Sequence, residues 1–335
     1  MQESEDARRG LVESWLSGIP GVDITSLRPA SEDASFRRYF RVDTDAGTAI
    51  VMDAPPPQED TRPFVAVAGF LESIGINAPR VLAANEEQGV LLLSDLGSTP
   101  YLDELHDDSV TSMYRDAIDA LLVLQSAGDA YRESLPSYDE AYLRFEVSLF
   151  HDWLCESYAG LTFSEAEQGV WEAAIDAVIA GTVTQPRVFV HRDFHSRNLM
   201  VTGEDNPGVL DFQDAMNGPL AYDLVSLLKD CYVRWPTTVR EECIDYFLSM
   251  SDLDIERDQF LRWFDFVGVQ RHLKAAGIFC RLWLRDGKPG YLKDVPLTVS
   301  YITELKGRYA ELDPLIDWIE STVMPAFNAK RESDS

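Results

Sequence analysis

The run "VHRDFHSRNLM" (190–200) constrains this chain more than any other stretch. Two histidines, two arginines, an aspartate and an asparagine lie between Val190 on one side and Leu199 and Met200 on the other. So many polar groups between apolar residues read as a turn hung between two short buried strands, "RVFVH" before it and "GVLDF" after it. Three amphipathic helical patterns precede the turn: "SVTSMYRDAIDALLVLQSAG", "DEAYLRFEVSLFHDWLCESYAG" and "SEAEQGVWEAAIDAVIAG". Each has a Ser or Asp start and a glycine stop. More helix is expected from "YDLVSLLKDCYVRW" onward, and a frayed end at "AKRESDS".

The chain opens differently. Three β-rich runs, near 24–29, 36–42 and 48–53, are separated by polar turns and closed by "PPP" at 55–57. A helix follows, with Phe64, Val67, Leu71 and Ile74 at helical spacing. "PRVLAA" and "GVLLLSDL" then read as two more strands joined by "NEEQG". The expectation is an α+β fold of two lobes: residues 1–94 as a small antiparallel-sheet lobe and 95–335 as a larger, mainly helical one.

The 335 residues suffice for such cores. No apolar run approaches membrane-spanning length and "MQESEDARRG" is no secretory signal, so a soluble, cytoplasmic protein is expected. Cys155, Cys231, Cys243 and Cys280 are scattered, which speaks against a disulfide framework or zinc site. A net charge of −28 would repel nucleic acid and anionic membrane. Nothing in the sequence calls for an obligate protein partner.

Phosphoryl transfer to an alcohol requires a group that orients the hydroxyl and accepts its proton, and ligands that hold Mg²⁺ on nucleotide phosphates. "HRDFHSRN" has the spacing H-R-D-x-x-x-x-N, in which the Asp is the base and the Asn a metal ligand, here Asp193 and Asn198. Thirteen residues beyond Asn198, "VLDFQDA" puts Asp211 at the end of an apolar strand as a second hard-oxygen ligand. An Asp or an Asn alone in a tight turn often only caps local backbone; all three in this order point to chemistry.

With these residues the chain resembles the aminoglycoside phosphotransferase-like kinases, whose loop runs His-x-Asp-x-His-x-x-Asn and whose later strand runs Ile/Leu-Asp-Phe/Trp. "LDFQDAMNGPLAYDL" continues the likeness, which spans nearly the whole chain. The resemblance implies a protein-kinase-like fold that binds ATP and Mg²⁺. It also implies that His191, His195 and Asp223 brace the loop, and that "LLLSDLG" is a hinge whose main chain at Ser94 and Leu96 receives adenine.

Two features of kinases are missing. The first turn, "SEDASF", has no glycine, and Met52 stands where a phosphate-binding lysine is expected; no lysine precedes Lys229. Backbone at Ser31, Ala34 and Ser35 could approach phosphate, or the segment could be a plain hairpin turn. "FRRYFR" offers guanidinium groups instead. Alternation puts Arg37 and Arg41 on one strand face and Arg38 on the other, so Arg37 and Arg41 are the phosphate candidates, unless these arginines simply neutralise an acidic surface.

Within the family the chain looks most like the bacterial kinases that phosphorylate the C1 hydroxyl of N-acetylmuramate and N-acetylglucosamine in peptidoglycan recycling. That likeness implies a small amino sugar as acceptor. Contacts to it are expected from Asp230, Tyr232 and Trp235 in "KDCYVRW" and from Arg271 and His272 in "QRHLK", although aromatic residues at such spacing also build cores. Arg197, within the loop, could face a bound anion or pair with a structural acid. Two other readings stand beside this one: a kinase of aminoglycosides or other small alcohols, and a nucleotide-binding scaffold without catalysis.

Overall fold

The structure, a computed structural model, describes residues 2–32 and 36–334, with side chains for 8–30 and 36–334. It divides into two compact units: Met1–Pro100 with Asn198–Asp214, and Tyr101–Arg197 with Ala215–Ser335.

In the first unit, α1 (Gln2–Leu16) precedes β1 (Val22–Glu32), β2 (Arg38–Thr44) and β3 (Gly47–Asp53). Then come α2 (Arg62–Ser73), β4 (Val81–Asn85) and β5 (Val90–Ser94). The five strands form one antiparallel sheet in the order β1-β2-β3-β5-β4, as the polar turns between them anticipate. β1 is longer than the expected strand, and β2 starts at Arg38, two residues after the expected start. Alternation along β2 holds. Phe40 and Val42 join Val51 and Leu92 in the core, while Tyr39 lies opposite Met52 and Arg41 opposite Ile50. α1 was not anticipated, because its charged residues mask an apolar stripe. Val12 and Leu16 are fully buried in that same core, with Leu11, Trp15 and Ile19 packed beside them.

Residues 198–214 belong to this unit as a hairpin of β7 (Leu199–Met200) and β8 (Gly208–Val209). Main-chain bonds from Val201 to Thr99 (2.8 Å) and from Val209 to Asn77 (2.7 Å) fasten it. Phe212 then packs on Phe64, with ring centroids 4.7 Å apart.

The second unit is helical, as expected. It comprises α3 (Tyr101–Glu104), α4 (Val110–Ala127), α5 (Glu140–Leu149), α6 (Glu165–Val183), α7 (Tyr222–Leu228), α8 (Thr237–Met250), α9 (Arg257–Leu284), α10 (Val295–Thr303), α11 (Asp313–Trp318) and α12 (Met324–Asp334). A two-stranded ribbon, β6 (Arg187–Val190) with β9 (Met216–Pro219), leads into the loop at 191–197. The end expected to fray is helical to Asp334.

Buried α9 is the centre of this unit, packed by α5, α6, α7, α10 and the wide π-turn Phe150–Tyr158 that extends α5. Two glycines permit that packing. A Cβ at Gly277 of α9 would lie 2.3 Å from the Leu149 carbonyl carbon, and one at Gly181 would lie 2.6 Å from the Phe266 ring. The sequence suggests Gly181 as a helix stop, but α6 runs on to Val183. The residue is there because α9 comes too close for a side chain.

Candidate active site

The loop after β6 is shaped by buried acids that accept its main-chain N–H groups. His191 donates to one oxygen of Asp223 (2.6 Å) and Arg192 to the other (2.9 Å). Arg192 has φ 79°, a left-handed conformation that costs a side-chain-bearing residue roughly 1–2 kcal/mol and has to be held by its surroundings. Burial and the neighbouring Asp193 charge push the Asp223 carboxyl up, to about 7, against the two main-chain bonds and Arg271. Farther on, the main-chain N–H of Ser196 (3.0 Å) and its hydroxyl (2.5 Å) both reach one oxygen of buried Asp230. The other Asp230 oxygen accepts the Tyr232 N–H (2.9 Å).

Between these two anchors lies Asp193, half-buried. Its N–H donates to His191 Nδ1 (3.3 Å), which leaves the proton of that neutral ring on Nε2, and its carbonyl accepts the His195 N–H (3.0 Å). Burial raises the affinity of the Asp193 carboxyl for a proton. Lys274, with Arg192 and Arg271, more than offsets it, so the group stays ionised below the ordinary aspartate range. Burial keeps the His195 imidazole neutral against the pull of Asp230 and Asp193.

Behind the loop is a cluster that sequence reasoning missed. Glu146 of α5, almost fully buried, receives Arg192 Nη2 at 2.5 Å, Lys274 Nζ at 3.0 Å and Gln270 Nε2 at 3.1 Å. The Tyr138 hydroxyl also donates to it. Lys274 reaches the Tyr222 hydroxyl as well (3.2 Å). The signal was present, since Glu146 falls on the apolar stripe of α5 between Leu143 and Val147, where an acid needs a buried cation.

In the other unit, the Asn198 carbonyl accepts the Leu210 N–H (2.9 Å), and its amide nitrogen lies 3.3 Å from Asp211 Oδ2. Asp211 adopts φ 61°, which turns the carboxylate off the strand direction; Gln213 Nε2 donates to it at 2.8 Å. Arg37 Nη1 stands 3.8 Å from the same Asp211 oxygen, and Arg37 Nε is 3.4 Å from Glu59. Asn198 and Asp211 thus place oxygen-bearing side chains together without thiolate or imidazole, a donor set of the kind Mg²⁺ takes.

The remaining candidates fall in several places. Arg41 is engaged elsewhere, bidentate on Asp95 (2.6 and 3.0 Å) and donating to the Gly97 carbonyl (2.8 Å). Arg38 is on the opposite face, where it and Arg8 hold buried Asp53. Met52 is buried between Tyr39 and Leu91, so no charge replaces the lysine there. Ser94 donates its N–H to the Arg80 carbonyl (2.9 Å), and Leu96 is half-buried beyond it. Ser31 is described only as backbone, opposite Tyr39, and Ala34 and Ser35 lie outside the described residues.

Arg197 lies over the Tyr232 ring at 3.6 Å, and Trp235 is half-buried. Arg271 is buried with Nη1 3.5 Å from Cys231 Sγ. His272 needs correction as a sugar contact. Both its ring nitrogens face main-chain carbonyls, of Gly268 and Lys229, and burial followed by Arg271 pushes it down to about 3, so it ties α9 to the end of α7. Asp230, expected among the sugar contacts, is spent on Ser196 and Tyr232. No helix of the described residues is long and apolar enough to cross a membrane.

Residues 26–261 match the phosphotransferase enzyme family, APH. The chain belongs to that family. It is 44% identical over 333 residues to the N-acetylmuramate/N-acetylglucosamine kinase of Pseudomonas aeruginosa, covering 95% of this chain and 98% of that one. To the Pseudomonas putida kinase of the same name it is 47% identical over 300 residues, 88% and 87% of the two chains. In fold it is similar to the GDP complex of aminoglycoside 2'-phosphotransferase-IIIa, with a TM-score of 0.61 at 12% identity, over 87% of this chain and 96% of that one. The two-lobed, protein-kinase-like α+β architecture is therefore that of this phosphotransferase.

Proposed function

We propose that this phosphotransferase moves the γ-phosphoryl group of ATP to the C1 hydroxyl of N-acetylmuramate and N-acetylglucosamine, in the reuse of cell-wall sugars. The observation that carries the reading is the loop itself: Asp193, ionised and held between the Asp223 and Asp230 anchors, in a chain 44% identical over nearly its whole length to a kinase of those sugars.

In this reading Asp193 orients the C1 hydroxyl and takes its proton as the oxygen–phosphorus bond forms and the bond to the ADP oxygen breaks. An anomeric hydroxyl is more acidic than an ordinary alcohol, so a weakly basic carboxylate suffices. Asn198 and Asp211 would hold Mg²⁺, which when bound neutralises charge on the phosphates. Arg37, beside Asp211, supplies the guanidinium for phosphate where Met52 supplies nothing. The hinge main chain at Ser94 and Leu96 receives adenine.

The aminoglycoside reading has only distant fold likeness behind it, and a scaffold would have no use for Asp193, Asn198 and Asp211 together. ADP release measured with Mg²⁺-ATP against N-acetylmuramate, N-acetylglucosamine, an aminoglycoside and choline tests the reading. Turnover confined to the two amino sugars is expected; preference for the aminoglycoside or choline would refute it.

A further inference from the structure

Arg197 differs from the charged residues around it. Arg192 is paired with Glu146, and Arg234 and Arg240 with Glu304, yet among the described residues Arg197 forms no ion pair and no side-chain hydrogen bond. With 57 acidic residues in the chain, carboxylates are not in short supply. The guanidinium is instead laid on the Tyr232 ring at 3.6 Å, with Tyr291 at 6.0 Å. Tyr232, Phe279 and Tyr291 form one aromatic group, at 6.1 Å between the first two and 5.7 Å between the last two. A guanidinium stacked by its face keeps its N–H edge directed outward and loses little freedom when it meets a planar anion.

Asp294 lies near enough to feel the Arg197 charge, and one of its carboxylate oxygens is shut off from solvent without a hydrogen-bond partner. An unpaired guanidinium laid on the aromatic group, two residues from His195 and four from Asp193 along the loop, therefore has an unsatisfied carboxylate oxygen within reach of its charge. That combination suits a ligand carrying both a carboxylate and a hydrogen-bond donor on a ring with an apolar face.

We propose that Arg197, stacked on Tyr232, binds the carboxylate of an acidic amino sugar and sets the preference for the lactyl-bearing acceptor over its neutral counterpart. The inference rests on the proposed amino-sugar kinase activity. Asp294, by contrast, accepts a donor that both sugars share.

The test is steady-state kinetics of wild type, Arg197→Met, Arg197→Lys and Asp294→Asn with both sugars. Arg197→Met should lower the ratio of kcat/KM for N-acetylmuramate to that for N-acetylglucosamine roughly ten- to a hundredfold, carried by KM. Arg197→Lys should lower it less, and Asp294→Asn should weaken both sugars alike. A ratio unchanged in Arg197→Met, whatever its absolute rate, would overturn the inference alone. A wild type that phosphorylates neither sugar would overturn the activity on which it rests.

Discussion

Lys274 meets Glu146 at 3.0 Å in a nearly dry interior, and the same ammonium is the strongest of the charges that keep Asp193 ionised. Glu146 also holds Arg192, so one buried acid fixes two of the three cations, Lys274, Arg192 and Arg271, that keep Asp193 ionised. Buried ion pairs of this kind add little net stability but are costly to break, at about 3–5 kcal/mol when one partner is removed.

Lys274→Met should therefore shift the pH dependence of kcat/KM. Asp193 must be ionised to accept a proton, and its proton affinity is now lowered by Lys274; without the ammonium the burial effect regains weight and the acid limb moves upward. Because the wild-type limb lies below the ordinary aspartate range, profiles from about pH 3 to 8, on variants shown by circular dichroism to stay folded across that range, would check this. An acid limb that stays in place would show that Lys274 supports the fold only.

Asp223→Ala should damage the loop without touching any ligand. It removes both acceptors of the His191 and Arg192 N–H groups while Arg192 remains in its left-handed conformation. Loss of about 2–4 kcal/mol of stability is expected, with a fall in kcat larger than any rise in KM for ATP. Urea unfolding beside steady-state kinetics separates the two effects.

Asp193→Asn should lower kcat by roughly 10²–10⁴-fold and leave nucleotide affinity near wild type, because the base meets the acceptor. Asp211→Ala should instead weaken Mg²⁺-dependent nucleotide binding. Calorimetry with ATP, with and without Mg²⁺, distinguishes these outcomes; near-wild-type turnover in Asp193→Asn removes that residue from the mechanism.

Among the arginines of "FRRYFR", Arg37→Ala is expected to cost roughly ten- to a hundredfold in ATP kcat/KM, since Arg37 alone of the three lies beside Asp211. Arg41→Ala should act through stability, by freeing Asp95, and Arg38→Ala by leaving buried Asp53 to Arg8. Equal kinetic losses in all three would contradict the assignment.

Much of this was legible in the sequence because the informative features are local. Strand alternation, the order of sheet and helices, and the spacing of Asp193, Asn198 and Asp211 each follow from nearby residues. What was not legible depends on tertiary contact. The stripe of α1 has meaning only once the sheet supplies Phe40 and Val51, and Gly181 looks like a stop until α9 brings Phe266 against it. Glu146 and Lys274 are 128 residues apart, so neither indicates its partner. The strand face of Arg41 was foreseeable, but its capture by Asp95 was not.

Phosphorus NMR of the product formed from Mg²⁺-ATP and N-acetylmuramate tests the central claim most directly. A single phosphomonoester coupled to the anomeric proton, and lost in Asp193→Asn, is the expected result. Phosphate at any other hydroxyl, or no sugar phosphate while ATP still binds, would contradict it.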